Sequence, residues 1–120
     1  MHKLLFLIVL TIASSAYSQD LKNGTYQEFF ENKSLKYEIS YLNGKKNGKE
    51  RFWYESGQLK IQSEFKNGKE HGLWQQWYEN GQQKSKSGWV SGQKDGFEWI
   101  WDRDGKLLSK DQYQNGKIIQ

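Results

Sequence analysis

Four aromatic residues stand 24 positions apart: Phe29, Trp53, Trp77 and Trp101. Lys36, Lys60 and Lys84 follow the first three at a constant offset, and Leu108 takes that place after Trp101. Flat, amphipathic rings beside cations suit adhesion better than bond breaking. Such rings are favoured anchors at protein interfaces, and they also stack on sugars and bases. An ammonium over a ring is itself attractive, by about 0.5–1 kcal/mol at an exposed site. The row therefore has two readings. One is a docking strip of Phe29, Trp53, Trp77, Trp99 and Trp101 with a fringe of Lys36, Lys60 and Lys84. The other is a set of cross-strand pairs that stabilise a solvated sheet face.

The inventory for catalysis is thin. His71 sits where the other repeats have Asn23, Asn47 and Asp95, all turn formers, so it reads as a turn residue before it reads as a general base. The chain has no cysteine, which excludes disulfides, thiolate metal sites and a lipid anchor on Cys. No Ser has a His and an acid arranged around it as a nucleophile requires. Glu31, Glu55 and Glu79 recur at one turn-flanking position, as scaffold carboxylates would. Asn-Gly-Lys lacks the strand-then-helix setting of a phosphate loop, and the scattered acids give no metal-ligand spacing. The expectation is a non-enzyme with no cofactor and no metal.

The elements that must position the rings come from a repeat. Asn43-Gly44-Lys45, Asn67-Gly68-Lys69 and Asn115-Gly116-Lys117 mark the stride, with Ser91-Gly92-Gln93 as a worn copy. Between them run Tyr54-Glu55-Ser56-Gly57-Gln58, Tyr78-Glu79-Asn80-Gly81-Gln82 and Asp102-Arg103-Asp104-Gly105-Lys106. A fixed period of this length means a repeat array. The units run approximately over 19–42, 43–66, 67–90 and 91–114, with a partial unit at 115–120. Each reads as two strands: Leu35, Tyr37, Ile39 and Tyr41 alternate with Lys36, Glu38 and Ser40, a period-two pattern. The fold class is all-β, an elongated single-layer antiparallel meander of about four 24-residue hairpins, or about eight strands. Ile118 and Ile119 begin a ninth strand or a cap.

Asn80-Gly81 and Asp104-Gly105 favour a type I′ turn, which needs positive φ at both central residues. The Asn-Gly-Lys link is then the longer connection, with two Gly-bearing corners. If Ser56-Gly57 is a two-residue loop, Phe52 lies opposite Ile61, Tyr54 opposite Leu59 and Trp53 opposite Lys60. Opposed residues share a face. One face collects Tyr26, Phe30, Leu35, Tyr37, Ile39, Tyr41, Phe52, Tyr54, Leu59, Ile61 and Phe65, the packing face. The other pairs Phe29 with Lys36, Trp53 with Lys60 and Trp77 with Lys84, and sets Trp99 and Trp101 beside Leu108. A three-residue bulged loop would break this pairing.

Residues 1–18 read as a secretory signal peptide: a basic start, the apolar run Leu4 to Ala13, then small residues before a cut near Ser18-Gln19. The alternatives are a buried N-terminal strand and a retained anchor. The remainder, 19–120, is one small repeat domain with no further segment apolar enough to span a bilayer. It is expected to be periplasmic or secreted. Removing Lys3 lowers the net charge of +4 by one, and no run of like charge suggests nucleic acid as a partner. In residues 19–120 aromatic rings outnumber Leu, Ile and Val, so a thick two-layer core is hard to fill. A single-layer sheet leaves faces and edges uncovered, which implies a partner, edge or face pairing into an oligomer, or tight curling.

The stretch Asn67 to Lys84, Asn-Gly-Lys-x-x-Gly-x-Trp-x-x-Trp-Tyr-Glu-Asn-Gly-Gln-x-Lys, resembles the variant MORN repeat, and the likeness covers nearly all of Asp20 to Lys117. Bacterial proteins built this way are grouped as the YwqK-type antitoxin family. The resemblance implies stacked hairpins and a role in binding and neutralising a toxin protein. An exported member would act in the envelope, as an immunity protein does. The expected partner is a toxin-like or envelope protein. The alternative occupants are a cell-wall glycan and lipid headgroups, met through the aromatic and Lys strip.

Overall fold

A computed structural model of the chain describes residues 22–119. The expected signal peptide lies outside the described residues. The described chain forms strands and turns and, within those bounds, no helix. The strands are β1 (Gly24–Phe29), β2 (Leu35–Leu42), β3 (Lys45–Trp53), β4 (Leu59–Lys66), β5 (Lys69–Glu70), β6 (Gly72–Trp77), β7 (Gln83–Val90), β8 (Gln93–Trp101), β9 (Leu107–Gln114) and β10 (Lys117–Ile118). They lie in chain order in one antiparallel sheet, with β5 beside β4 ahead of β6. The sheet is open, and its extents are 53 × 32 × 31 Å.

The expected count of about eight becomes ten through two short strands. In the third hairpin His71 breaks what is continuous in β3 and β8, leaving β5 and β6. β10 repeats β5 at the far end: Lys117 pairs with Gln114 as Lys69 pairs with Lys66. Ile118 and Ile119 do extend the sheet. Ile118 lies opposite Tyr113, and the Ile119 amide donates to the Gln112 carbonyl at 2.8 Å.

The two turn types are exchanged relative to the sequence reading. Asn43-Gly44 has φ of 51° and 75°, and Asn67-Gly68 has 51° and 81°. These are the two-residue turns with both φ positive, the geometry that matches strand twist. The other loops have only their Gly at positive φ, as at Gly81 with 88°. There the Gly81 amide donates to the Tyr78 carbonyl at 3.0 Å and the Tyr78 amide to the Gln82 carbonyl at 2.9 Å. That is a three-residue loop, a type I turn closed by a left-handed Gly and followed by a bulge. Lys33 takes the Gly place in the first hairpin at φ 69°. The second Gly-bearing corner falls inside the strand path, where the register slips between Ile39 and Tyr41.

The packing face is less apolar than its alternation promises. The row Tyr26, Ile39, Glu50, Ser63 continues as Trp74, Ser87, Glu98, Asp111 along successive strands. Ile39 is the one buried apolar side chain among the described residues; Glu50, Ser63 and Ser87 are buried with it. Rings flank the row and stay half-buried. Tyr37 lies 6.1 Å from Tyr26 and 4.6 Å from Phe52, and Trp74 lies 5.3 Å from Trp89. A single layer buries little beyond this row. Small or ion-paired polar groups therefore occupy places where a second layer would demand aliphatics. Glu50 is held by the Tyr37 hydroxyl at 2.6 Å and the Lys46 ammonium at 2.8 Å, as a buried charge requires. Lys94 repeats the pair with Glu98 two units later.

Candidate docking surface

The loops decide where each candidate ring stands. The bulge after Phe52 sets Trp53 opposite Leu59, and those after Glu28 and Gln76 set Phe29 opposite Leu35 and Trp77 opposite Gln83. The expected ring–Lys pairs across the strands are therefore broken, by the one added loop residue. Tyr54 leaves the ladder with them: it is a loop residue, and Phe52 opposite Ile61 is the part of the expected register that stands. In the fourth hairpin Trp101 lies opposite Leu107, and Trp99 opposite Lys110 on one side and Lys86 on the other. Leu108 is paired with neither.

The lysines find the next ring instead. Lys36 lies over Phe30 at 5.6 Å, Lys60 over Tyr54 at 5.3 Å and Lys84 over Tyr78 at 5.5 Å. Arg103 also approaches Tyr78, at 5.6 Å. The cation–aromatic ladder is real, but its rings are Phe30, Tyr54 and Tyr78. Phe29 is 39% exposed, while Trp53, Trp77 and Trp101 are half-buried at the strand ends.

Those Tyr rings also tie hairpin to hairpin. The Tyr54 hydroxyl donates to the Trp77 carbonyl at 2.8 Å and the Tyr78 hydroxyl to the Trp101 carbonyl at 2.9 Å. Asn80 reaches the Arg103 carbonyl at 3.0 Å, and Asn32 the Glu55 carbonyl at 3.3 Å. At the opposite edge each two-residue turn leans on the one before. Gly44, Gly68, Gly92 and Gly116 donate their amides to the carbonyls of Lys22, Lys46, Glu70 and Lys94 at 2.8–2.9 Å. The stride of Phe30, Tyr54 and Tyr78 is visible in the sequence. Its role is not, because a hydroxyl bonding a carbonyl 23 residues away leaves no local pattern.

A second ring–cation group lies on the sheet face away from Glu50. Phe97 and Trp99 stand 5.4 Å apart, with Lys110 over Phe97 at 4.5 Å and over Trp99 at 5.5 Å. Phe97 is 39% exposed. Trp99 was a candidate from sequence; Phe97 and Lys110 join it because β8 and β9 pair in register there. Between the loops, Tyr54, Tyr78, Glu79, Asn80 and Arg103 line a small cleft of about 170 Å³. His71 lies exposed beside Glu64 and Phe65 in a broader, open hollow of about 440 Å³.

Two titrating groups are displaced. Burial, then the hydrogen bond to Glu50, pushes the Tyr37 hydroxyl far above its ordinary value of 10.0. The hydrogen bond to Glu28 raises Tyr26. Both shifts keep a phenol neutral beside a carboxylate and have the character of scaffold. Among the described residues no three His, Cys, Asp or Glu side chains gather as metal ligands would.

The geometry is thus a stack of equivalent hairpins that presents rings and cations along its length and is stitched at both edges. Comparison with curated proteins and with solved structures finds no match. Comparison with protein families matches the MORN repeat variant three times in succession, at residues 22–43, 46–67 and 70–89, more than half of the chain. With the same hairpin design continuing through β8 and β9, the chain belongs to the MORN repeat variant family.

Proposed function

We propose that this chain is a non-catalytic repeat module that is exported and binds a partner protein in the envelope or beyond it. The observation that carries the reading is an open single-layer sheet with, among the described residues, one buried apolar side chain and rings half-exposed along its length. Such a sheet offers contact area along its length, in place of the concave pocket that a small-molecule site calls for. Its rings are held by stitched hairpins, so little entropy is lost when they dock. The likeness to YwqK-type antitoxins supports a toxin-like protein as the partner, with the module acting as an immunity protein.

The test starts with affinity capture from envelope and secreted fractions, followed by reconstitution with the purified candidate. A stoichiometric complex is expected, weakened about tenfold or more when Trp77 and Trp99 are replaced by Ala, the scale of an interfacial aromatic anchor. Capture of nothing above background, or a complex indifferent to these rings, counts against the reading. A second reading is a cell-wall glycan, favoured by the Phe97–Trp99 pair, in which Phe97 is exposed and Trp99 half-buried and a sugar ring would stack in place of the Lys110 ammonium. Titration with cell-wall fragments should then shift Trp fluorescence, and an unchanged spectrum removes it.

A further inference from the structure

Six of the seven Asn residues in the chain are followed by Gly. In water that pair is prone to change itself. The Gly nitrogen, on losing its proton, attacks the Asn side-chain carbon Cγ. The bond from Cγ to Nδ2 breaks and ammonia leaves. Water then opens the cyclic imide at either carbonyl, giving aspartate or an isoaspartate whose backbone runs through the side chain. Nothing is oxidised or reduced, and water is the one co-reactant. Gly favours the attack because it has no side chain to hinder it. Asn43, Asn67 and Asn115 carry the risk in identical form, as Asn-Gly-Lys. The Asn and Gly of all three turns are exposed, so burial does not guard them.

The turn guards them in two ways. Asn43, Asn67 and Asn115 have φ of 51°, 51° and 49°, the left-handed region, where ψ lies near about +47°. At that angle the Gly nitrogen points away from Cβ, whereas ring closure needs it swung round beside Cβ. The same nitrogen also holds its proton in a hydrogen bond to the preceding hairpin. Gly44 donates to the Lys22 carbonyl, Gly68 to Lys46 and Gly116 to Lys94, at 2.8–2.9 Å. Ser91-Gly92 makes the same turn and the same kind of bond, to the Glu70 carbonyl at 2.9 Å, with a side chain that cannot cyclise. The turn geometry therefore does not depend on the Asn amide. We propose that Asn43, Asn67 and Asn115 are latent deamidation sites gated by the hairpin junctions. Each converts when the hairpin behind it lets go of its Gly amide, and the conversion is then permanent. Isoaspartate adds a carbon to the backbone of a two-residue turn whose length sets the strand register, so the junction cannot re-form as it was. The array thus keeps a chemical record of which junctions have opened. The inference is independent of what the module binds.

The test is peptide mapping by mass spectrometry after the purified protein is incubated at mildly alkaline pH, with and without unfolding urea. Hydrogen exchange of the Gly44, Gly68 and Gly116 amides is followed in the same urea-free buffer. Because the three tripeptides are identical, the three Asn should convert at like rates in urea. In the folded protein Asn67, with whole hairpins on both sides of its junction, should convert about tenfold or more slowly than in urea, as local opening limits it. Asn115, whose turn is followed only by the two-residue β10, should convert fastest. The rates at the three sites should rank as the exchange of their Gly amides ranks. Equal rates at Asn67 with and without urea overturn the proposal. So does conversion in the folded protein that ignores the order of amide exchange, because control would then lie in unfolding of the whole molecule.

Discussion

At the scale of single residues, the group with most influence is Tyr37. It fills the gap between Tyr26 and Phe52 and donates to buried Glu50. Tyr37→Phe keeps the ring and removes the donor, and should cost about 1.5–3 kcal/mol, the range for a hydrogen bond to a charged group, read from denaturant midpoints. The pH dependence has a definite sign. The folded hydroxyl titrates above the unfolded value of 10.0, so its contribution is complete below that pH. It is lost as pH rises above about 10, because the unfolded chain then releases the proton first. Tyr37→Phe should therefore flatten the alkaline fall in stability. Two glycines separate backbone strain from crowding. Gly44 has φ 75° and open space around a would-be Cβ, so Gly44→Ala should cost only the left-handed penalty of about 1–2 kcal/mol. A Cβ on Gly88 would lie 2.5 Å from the Asp95 carbonyl oxygen. Gly88→Ala must move backbone and should cost about 1–3 kcal/mol, with the larger fall in melting temperature.

At the scale of the hairpin, the junction between units is the element that repeats. Tyr54→Phe and Tyr78→Phe each delete one inter-hairpin hydrogen bond and should each cost about 1 kcal/mol. The two sites serve different junctions, so their effects should add, as urea titrations of the single and double variants would show. Phe30 already stands at this position in the first hairpin, so a Phe ring fits. The strands were legible in the sequence because alternation and stride survive in every unit. The turn types were not. Asn-Gly occurs at both ends of the hairpin, at Asn43-Gly44 and at Asn80-Gly81, and the dipeptide serves a two-residue I′ turn and a bulged type I loop alike. One residue of loop length then decided whether Trp53 met Lys60 or Leu59. The face of Ser63 was legible, since it alternates with Leu59, Ile61 and Phe65, but the depth of Ser63 and Ser87 was not: it comes from the neighbouring strands, which a strand's own pattern does not encode.

At the scale of the whole molecule, the sheet is a one-dimensional array in which each hairpin touches only its neighbours. Stability in such arrays is approximately a sum of unit and junction terms. Deleting residues 67–90 in one block would join Lys66 to Ser91-Gly92, which already forms a two-residue turn at φ 49° and 82°. The shortened chain should fold cooperatively with a lower melting temperature. Its long dimension should fall by about 10 Å, two strand spacings, as measured by small-angle scattering. A chain that fails to fold would show the third hairpin to be more than an interchangeable unit.

The strand order has a mechanical consequence. The first and last described strands stand at opposite ends of a sheet whose strands follow chain order, with only the short β5 off the path. Tension applied between them pulls across the strands and loads the ladder bonds one after another, as in opening a zipper. No pair of strands is sheared along its length. The molecule would thus yield hairpin by hairpin at modest force, and each step would pay out about 80 Å of extended backbone. Tethered at its two ends, it would be a compliant, stepwise-extensible element.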